Sequence, residues 1–364
     1  MNEKNTISPF FIIFLIYVSM VGVGVLNFQR ELIQDAGYDG WISVLLMAIS
    51  VHVILWMIYR ILSTAHHEAE DITSINLRYF GKWLGNGVNL LIVLYFYSGA
   101  FVEFRSYIEI IQVWIFPEMG VLAISIALVV LIHYTVSGGF RAITGLSFWG
   151  MILSYLLVIP ILVITFKFRH PMNLLPVMNH SLQDIVRSSK SMLYPFMGFE
   201  ALIMYYPFIK TPAKSQKWAH WTVIFVTSLY LITSFITFMY YSEGQLRQII
   251  WPTLSMIMII EVPILQRLEY LAISLWMIKI VANIGISLWV ACRGMKNTLR
   301  VKPSRGLLGL LAGFLILEHF VQDRSSIRRM HELYSTIGLY VIYGYIPLMF
   351  IITQVIKKKR INTV

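Results

Sequence analysis

Charged residues are scarce in this chain: only 13% of its 364 residues are Asp, Glu, Lys or Arg, whereas 58% are hydrophobic. A soluble domain carries roughly 25% charged residues, so most of this surface cannot face water. The polar stretches between apolar runs are also too short for a separate soluble domain, which needs roughly 50 residues. The composition therefore predicts that 1–364 forms a single integral membrane domain embedded in a lipid bilayer.

Cysteine is almost absent as well, since Cys292 is the only one. No disulfide can form within the chain, and Cys292 lies in an apolar run where a small buried residue is expected. The sequence GLSFWG at 145–150 fails as a nucleophile elbow because Trp149 stands where glycine is required. We therefore expect a protein that is not an enzyme and that holds neither a cofactor nor a metal ion.

The net charge of +11 would suggest nucleic acid as a partner only in a soluble protein. Here Lys and Arg lie in short connections between apolar runs, a pattern typical of orientation in a membrane and of contact with anionic lipid. With the N-terminus placed in the cytoplasm, the inner connections hold about twice as many Lys and Arg residues as the outer ones. We expect two cytoplasmic termini and no nucleic-acid partner.

Membrane-spanning helices need about twenty mainly apolar residues. Ten runs meet this requirement, and an even number agrees with two termini on one side. These predicted spans are 8–33, 40–62, 84–112, 119–137, 145–167, 188–208, 220–241, 266–292, 306–322 and 334–356.

One predicted outer connection, 242–265, is apolar but interrupted at Trp251-Pro252 and Val262-Pro263. It is too short and too broken to cross the membrane. Because lipid cannot satisfy a broken backbone, the segment must be buried against protein. We predict a lid or a re-entrant hairpin.

Two of the spans contain a flaw near their middle. The first span has Gly22 and Gly24, and the sixth has Gly198 after Pro195. Glycine costs about 1 kcal/mol in a helix interior relative to alanine, so these positions favour unwinding. Close helix packing, the other use of glycine in membranes, suffices for Gly309 and Gly313 in span nine.

The two flaws lie 176 residues apart, counted from Gly22 to Gly198, close to half of the ten-span region. Broken spans at corresponding positions of two halves indicate an inverted-repeat transporter site. We therefore predict an all-α membrane protein of about ten transmembrane helices with a LeuT-type 5+5 inverted repeat and broken helices 1 and 6. Repeat one covers about 8–167 and repeat two about 188–356.

An unwound helix frees backbone N–H groups, which suit a carboxylate, and carbonyl groups, which suit an ammonium group or a cation. A small zwitterion such as an amino acid matches both. The predicted ligand-binding residues lie at the breaks and on spans three and eight: Gly22, Gly24, Tyr97, Phe101, Arg105, Met197, Gly198, Phe199, Glu200, Lys279 and Asn283.

Charged side chains at membrane depth are costly and mark function or a structural ion-pair network. Glu103, Arg105 and Glu109 in span three fit either role, and Arg105 and Glu109 are spaced to pair on one helix face. Glu200 beside the second break and Lys279 in span eight favour function. One hypothesis is that Lys279 acts as a fixed internal cation in place of a sodium ion.

Several short motifs follow one another along essentially the whole chain. None is specific alone, but their order and spacing are specific in combination. They are Val21-Gly22-Val23-Gly24-Val25-Leu26 followed by Arg30, Gly40-Trp41, Glu103-Phe104-Arg105, Gly198-Phe199-Glu200, Trp251-Pro252-Thr253-Leu254-Ser255 and Arg267-Leu268-Glu269. With this layout the chain resembles the endospore germination permeases, the B subunits of nutrient germinant receptors. That family is similar to the amino acid–polyamine–organocation transporters.

The resemblance implies a germinant receptor subunit of the inner spore membrane that works with an A subunit and a lipoprotein C subunit. Its ligand would be an amino acid or another small nutrient, and binding would trigger germination. The chain departs from many family members at Gln29, where they have proline, and at Lys279, where a neutral residue is common.

Two other functions stay open from the sequence: a working secondary amino-acid transporter of the same fold, and a ligand-gated ion path within a receptor complex. A sensor keeps the binding site of a transporter, so the residues alone do not separate these alternatives.

Overall fold

The apolar runs fold as helices because a helix satisfies its own backbone hydrogen bonds where no water is available. The chain is described by a computed structural model that covers residues 6–64, 70–258 and 267–361. Over these ranges it consists of helices and connecting turns without a β-strand, and one isolated bridge joins Ile7 to Ile209. The second predicted interruption of the lid, Val262-Pro263, lies outside the described residues.

Within residues 6–64 and 70–164, the structure has two short helices and four long ones. A 3₁₀ turn at Pro9–Phe11 opens the first span, in agreement with a proline at the first helical position. The helices are α1 (Ile12–Met20), α2 (Phe28–Ala36), α3 (Gly40–Leu62), α4 (Ile72–Trp114), α5 (Val121–Ser137) and α6 (Phe140–Ile164).

The second part repeats this mixture of short and long helices. A π-helical turn at Val341–Tyr345 joins the last two helices without an interruption. The helices are α7 (Leu182–Ser191), α8 (Leu193–Phe196), α9 (Leu202–Tyr205), α10 (Gln216–Tyr240), α11 (Glu243–Gln248), α12 (Pro252–Met258), α13 (Leu268–Leu299), α14 (Pro303–Leu317), α15 (Arg324–Tyr340) and α16 (Ile346–Ile361).

Not every predicted span is one unbroken helix. Among the described residues, five stretches are long and apolar enough to cross a membrane: Phe28–Leu62, Ile72–Trp114, Pro212–Tyr240, Glu269–Leu299 and Arg324–Val355. A sixth candidate, Val121–Ser137 with Phe140–Leu156, bends by 119° between its helices. Spans one and six fall short of this test because each is divided at its glycines.

Helix α1 lies in the protein interior and α13 packs beside it. The side chains of α1 are buried around the whole helix, from Ile12 to Val18, as expected of an apolar helix without a lipid-facing stripe. It contacts α6, α10 and α13, and α13 in turn packs along α4 and α6. The broken part of span one is therefore enclosed by the long helices.

The described part of the predicted lid contains helix α12, here called the lid helix (Pro252–Met258). It packs against α10, α13 and the 3₁₀ turn Val23–Leu26. The side-chain amide of Gln29 donates to Thr253 Oγ1 at 2.8 Å, and that hydroxyl donates to the carbonyl of Val25 at 3.3 Å. The lid helix thus closes one end of the first break.

Candidate functional site

The first break follows α1. The helix ends at Met20, Val21 and Gly22 leave helical geometry, and a 3₁₀ turn resumes at Val23–Leu26. The interruption lies at the glycine predicted from the sequence. It frees carbonyl groups at the end of α1 and N–H groups at the start of the turn.

The second break follows α8. Met197 is extended and Gly198 has a φ angle of 109°, after which a 3₁₀ turn begins at Phe199. A Cβ atom on Gly198 would collide with the carbonyl oxygen of Ser19 in the first break. The two breaks are therefore in direct contact, and only glycine fits between them.

A carboxylate from α4 caps the N–H end of the first break. The N–H of Val23 donates to Glu103 Oε2 at 2.9 Å, and the hydroxyl of Tyr194 donates to Oε1 at 2.7 Å. A Cβ atom on Gly22 would collide with this carboxylate, so the glycine makes room for it. A half-helix N-terminus favours an anion, and here the chain supplies that anion itself.

The second break is capped in the same manner. Glu200, which is fully buried, accepts a hydrogen bond from the N–H of Gly198 at 2.8 Å and another from the hydroxyl of Tyr95 at 2.5 Å. Each break is therefore capped by one carboxylate and one tyrosine. In each cap, one of these two residues comes from span three and the other from span six.

Helix α15 closes one side of both breaks. The ring of Tyr334 stacks on Tyr95 at 5.5 Å between centroids and meets Tyr194 at 6.2 Å. His331 packs edge-on against Tyr194 at 4.7 Å and shares a 2.7 Å hydrogen bond with Ser106. The two capped carboxylates are thus linked through an aromatic layer.

The carbonyl end of the first break is satisfied by Asn283 of α13. Its amide Nδ2 donates to the carbonyl oxygens of Val18 at 2.8 Å and Ser19 at 3.1 Å. In transporters with broken helices, such freed carbonyls coordinate a cation. Here an uncharged donor from the chain occupies them.

Lys279 lies one turn before Asn283 and is 1% exposed. Its Nζ lies 3.3 Å from the ring centroid of Trp276, a cation–π arrangement, and 5.9 Å from that of Tyr17. It makes no hydrogen bond to any residue in the described ranges. The hypothesis that Lys279 substitutes for a sodium ion stays a prediction.

A small apolar cavity lies between the first break and the lid helix. Its volume is about 30 Å³. Its walls come from the first break, the lid helix and four other helices. They are Val25, Leu26, Tyr107, Ile110, Ser154, Leu229, Thr233, Thr253, Leu254, Ile257, Ala272, Ile273 and Trp276.

Several of the predicted site residues gather at the breaks. Met197 packs onto Gly338 of α15, and Phe199 is buried directly after the second break. Other predicted site residues contact a break or lie within one helical turn of such a contact. They are Gly22, Gly24, Gly198, Glu200, Lys279 and Asn283. Their role in ligand binding stays a prediction.

Three other predicted site residues face away from the breaks. The Tyr97 hydroxyl donates to the carbonyl of Leu310 at 3.1 Å, and the Phe101 ring packs on Phe314 at 5.5 Å. The Arg105 guanidinium donates to the carbonyls of Val321 and Gln322.

Residues 97, 101 and 105 lie four apart on one face of α4, and this face meets α14 and the turn after it. Glu109 forms an ion pair with Arg324 at 2.6 Å rather than with Arg105.

The sequence interpretation missed the residues that complete the caps. Tyr95 and Glu103 lie eight apart on a different face of α4, and the sequence does not place Glu103 among the predicted ligand-binding residues. Tyr194, His331 and Tyr334 were not selected, since tyrosine and histidine in apolar spans also serve packing. Within the described ranges, no group of three His, Cys, Asp or Glu side chains is placed to hold a metal ion.

Comparisons with known proteins identify the relatives of this chain. Residues 6–327 match a family described as "Spore germination protein". The chain is 36% identical over 361 residues to spore germination protein GerQB of Bacillus cereus, covering 97% of this chain and 98% of the relative. It is 24% identical over 373 residues to spore germination protein A2 of Bacillus subtilis strain 168, covering all of both chains.

Among solved structures, the chain is similar to MhsT, crystallised in complex with L-phenylalanine. The TM-score is 0.62 at 12% sequence identity, covering 96% of this chain and 88% of MhsT. At this identity the likeness concerns the fold alone. It confirms the predicted LeuT-like all-α membrane transporter fold.

Proposed function

Because this chain belongs to the spore germination protein family, we propose that it is the B-type subunit of a nutrient germinant receptor. It binds a small-molecule nutrient, most simply an amino acid, at the two contacting helix breaks. Binding there triggers germination of the spore.

The observation that carries the proposal is the pair of breaks. Freed backbone groups of two spans meet at Gly198 and Ser19, enclosed by long helices. Such a meeting of broken helices is where transporters of this fold class place their ligand. The solved structure of MhsT contains L-phenylalanine, which supports an amino acid as the ligand class here.

The chain is an integral membrane protein, and we further propose the inner spore membrane as its location. The excess of Lys and Arg in the predicted inner connections supports two cytoplasmic termini. Large apolar side chains such as Leu91, Leu94 and Val130 are exposed on the helices and suit contact with lipid. A receptor A subunit and a lipoprotein C subunit are the proposed protein partners, which the family resemblance implies.

The alternative is a working secondary amino-acid transporter. Its support is the transporter fold. The Asn283 amide favours the receptor, since it donates to the carbonyls of Val18 and Ser19, the kind of group that coordinates a metal cation in transporters with broken helices. A transporter that couples transport to a cation needs a site for that cation.

The test is a germination assay on spores that lack this gene, across single amino acids, sugars and potassium. We expect loss of the response to one nutrient class while uptake of that nutrient by vegetative cells is unchanged. A complementing wild-type copy is the control. Normal germination with impaired vegetative uptake contradicts the receptor and supports the transporter.

A further inference from the structure

Two buried ionisable residues, Glu103 of α4 and Lys279 of α13, lie close to the first broken span: Glu103 accepts from the N–H of Val23, and the Lys279 Nζ lies 5.9 Å from the ring of Tyr17. Glu103 is 8% exposed and Lys279 is 1% exposed, and the two groups attract each other electrostatically. Yet the Lys279 ammonium makes no hydrogen bond within the described ranges, to Glu103 or to any other residue. Buried charges are stable only when they are paired and hydrogen-bonded. The buried ammonium of Lys279 therefore lacks a hydrogen-bond partner, which a bound ligand can supply.

The Glu103 carboxylate retains capacity for a ligand. A carboxylate offers about four acceptor positions. Two of them are taken by Val23 and Tyr194. The remaining positions suit an ammonium group, whereas a second carboxylate would be repelled.

The apolar cavity lies within one helical turn of both Glu103 and Lys279. Tyr107 of the cavity wall follows Glu103 by one helical turn, and Trp276 precedes Lys279 by one turn. Val25 and Leu26 line the cavity two and three residues after the capped N–H of Val23. Charged groups on one side and a small apolar cavity on the other match an amino acid with a small apolar side chain.

We propose that Glu103 and Lys279 are the two charge anchors of a zwitterionic ligand. The ligand's ammonium binds Glu103, its carboxylate binds Lys279, and its side chain enters the cavity below the lid helix. This inference rests on the proposed function and gives the site a definite polarity. In the opposite orientation, the ligand's carboxylate would bind the backbone N–H at the break. Glu103 already accepts a hydrogen bond from that N–H.

The experiment measures binding to the purified full-length protein in lipid nanodiscs by isothermal titration calorimetry. The probes are glycine, L-alanine, L-valine and L-leucine. For the tightest binder, two analogues follow: the primary amide, which lacks the carboxylate, and the carboxylic acid without the amine. The variants are Glu103→Gln and Lys279→Gln, with exposed Glu118→Gln and Lys296→Gln as matched controls.

We expect Lys279→Gln to reduce the preference for the amino acid over its amide by about tenfold or more, the size of a lost charge-assisted contact. The preference over the amine-free acid should persist in this variant. Glu103→Gln should reduce the preference for the amino acid over the amine-free acid and should retain the preference over the amide. Both controls should retain both preferences.

Two results would overturn the anchors. One is tighter binding of the amino acid to Glu103→Gln, which means that Glu103 competes with the ligand's carboxylate. The other is an unchanged amide preference in Lys279→Gln. If a variant does not fold, Glu103→Asp and Lys279→Arg retain the charge and should retain the preferences. If the wild-type protein binds none of the four amino acids, the proposal that Glu103 and Lys279 anchor the ligand is wrong. The receptor proposal is tested separately, and it stands if a strain that lacks the gene loses its response to an amino acid.

Discussion

Gly198 faces the carbonyl oxygen of Ser19 so closely that no side chain fits between the two broken spans. Gly198 also has a φ angle of 109°, which L-amino acids with a side chain avoid. The contact joins a break in the first half of the chain to a break in the second half. Each break thereby forms part of the wall of the other.

Replacement of this glycine should damage the fold. We expect Gly198→Ala to lose about 1–2 kcal/mol from the left-handed backbone and about 1–3 kcal/mol more from the collision. Thermal unfolding of the purified protein measures the loss. Gly139→Ala is the matched control, because Gly139 has a φ angle of 81° but open space around it. Equal losses in the two variants would contradict the close contact.

The capped carboxylate of the second break gives a second prediction. Tyr95→Phe removes a donor from buried Glu200 and should cost about 1–3 kcal/mol of stability. In combination with Glu200→Gln, the two losses should not be additive, because the residues share one hydrogen bond. Thermal unfolding measures these losses, and Tyr97→Phe on the same helix is the control for coupling to Glu200, since its hydroxyl donates to the carbonyl of Leu310 instead. Strict additivity would argue against the Tyr95–Glu200 contact.

Cation dependence provides a third prediction. Asn283 satisfies the carbonyls of Val18 and Ser19, so the wild-type protein should have the same thermal stability in sodium chloride and in choline chloride. Asn283→Asp removes the donor and adds an anion beside those carbonyls, which creates the ligand set of a hard cation. This variant should be less stable in choline chloride and regain stability with sodium. A sodium requirement in the wild-type protein would contradict this role of Asn283.

The lid helix gives a fourth prediction. Thr253→Val removes the hydroxyl that links Gln29 and Val25 while it keeps a similar shape. Loss of about 1 kcal/mol of local stability should raise hydrogen exchange in Pro252–Met258 by roughly fivefold to tenfold. Ser255→Ala, on the same helix, tests whether any substitution there has this effect. Unchanged exchange in Thr253→Val would mean that packing alone holds the lid helix.

The breaks were predictable because their signal is local. Glycine at Gly22 and Gly198 lowers helix stability wherever it occurs in a span, and the spacing of the two sites needs no knowledge of packing. The helix face of span three was not predictable in this way. Tyr97 and Tyr95 are both tyrosines in one apolar run, and which of them meets the breaks depends on how α4 is rotated between α14 and span six.

The caps illustrate the same limit. Glu103 was recognised as costly at membrane depth, but a carboxylate that binds a ligand and one that caps a helix break have the same sequence signature. Only the 2.9 Å distance from the N–H of Val23 to Glu103 Oε2 assigns the cap. The repeat boundaries, 8–167 and 188–356, stay predictions.

The bridge between Ile7 and Ile209 bears on how the molecule moves. Backbone hydrogen bonds from Ile7 to Phe208 and from Lys210 to Ile7 fasten the start of span one to the end of span six. With the contact of Gly198 and Ser19 there are two points of attachment, which oppose separation of the two broken spans. The two spans should therefore move together as a rigid unit, and any opening of the site should displace the surrounding helices relative to this pair.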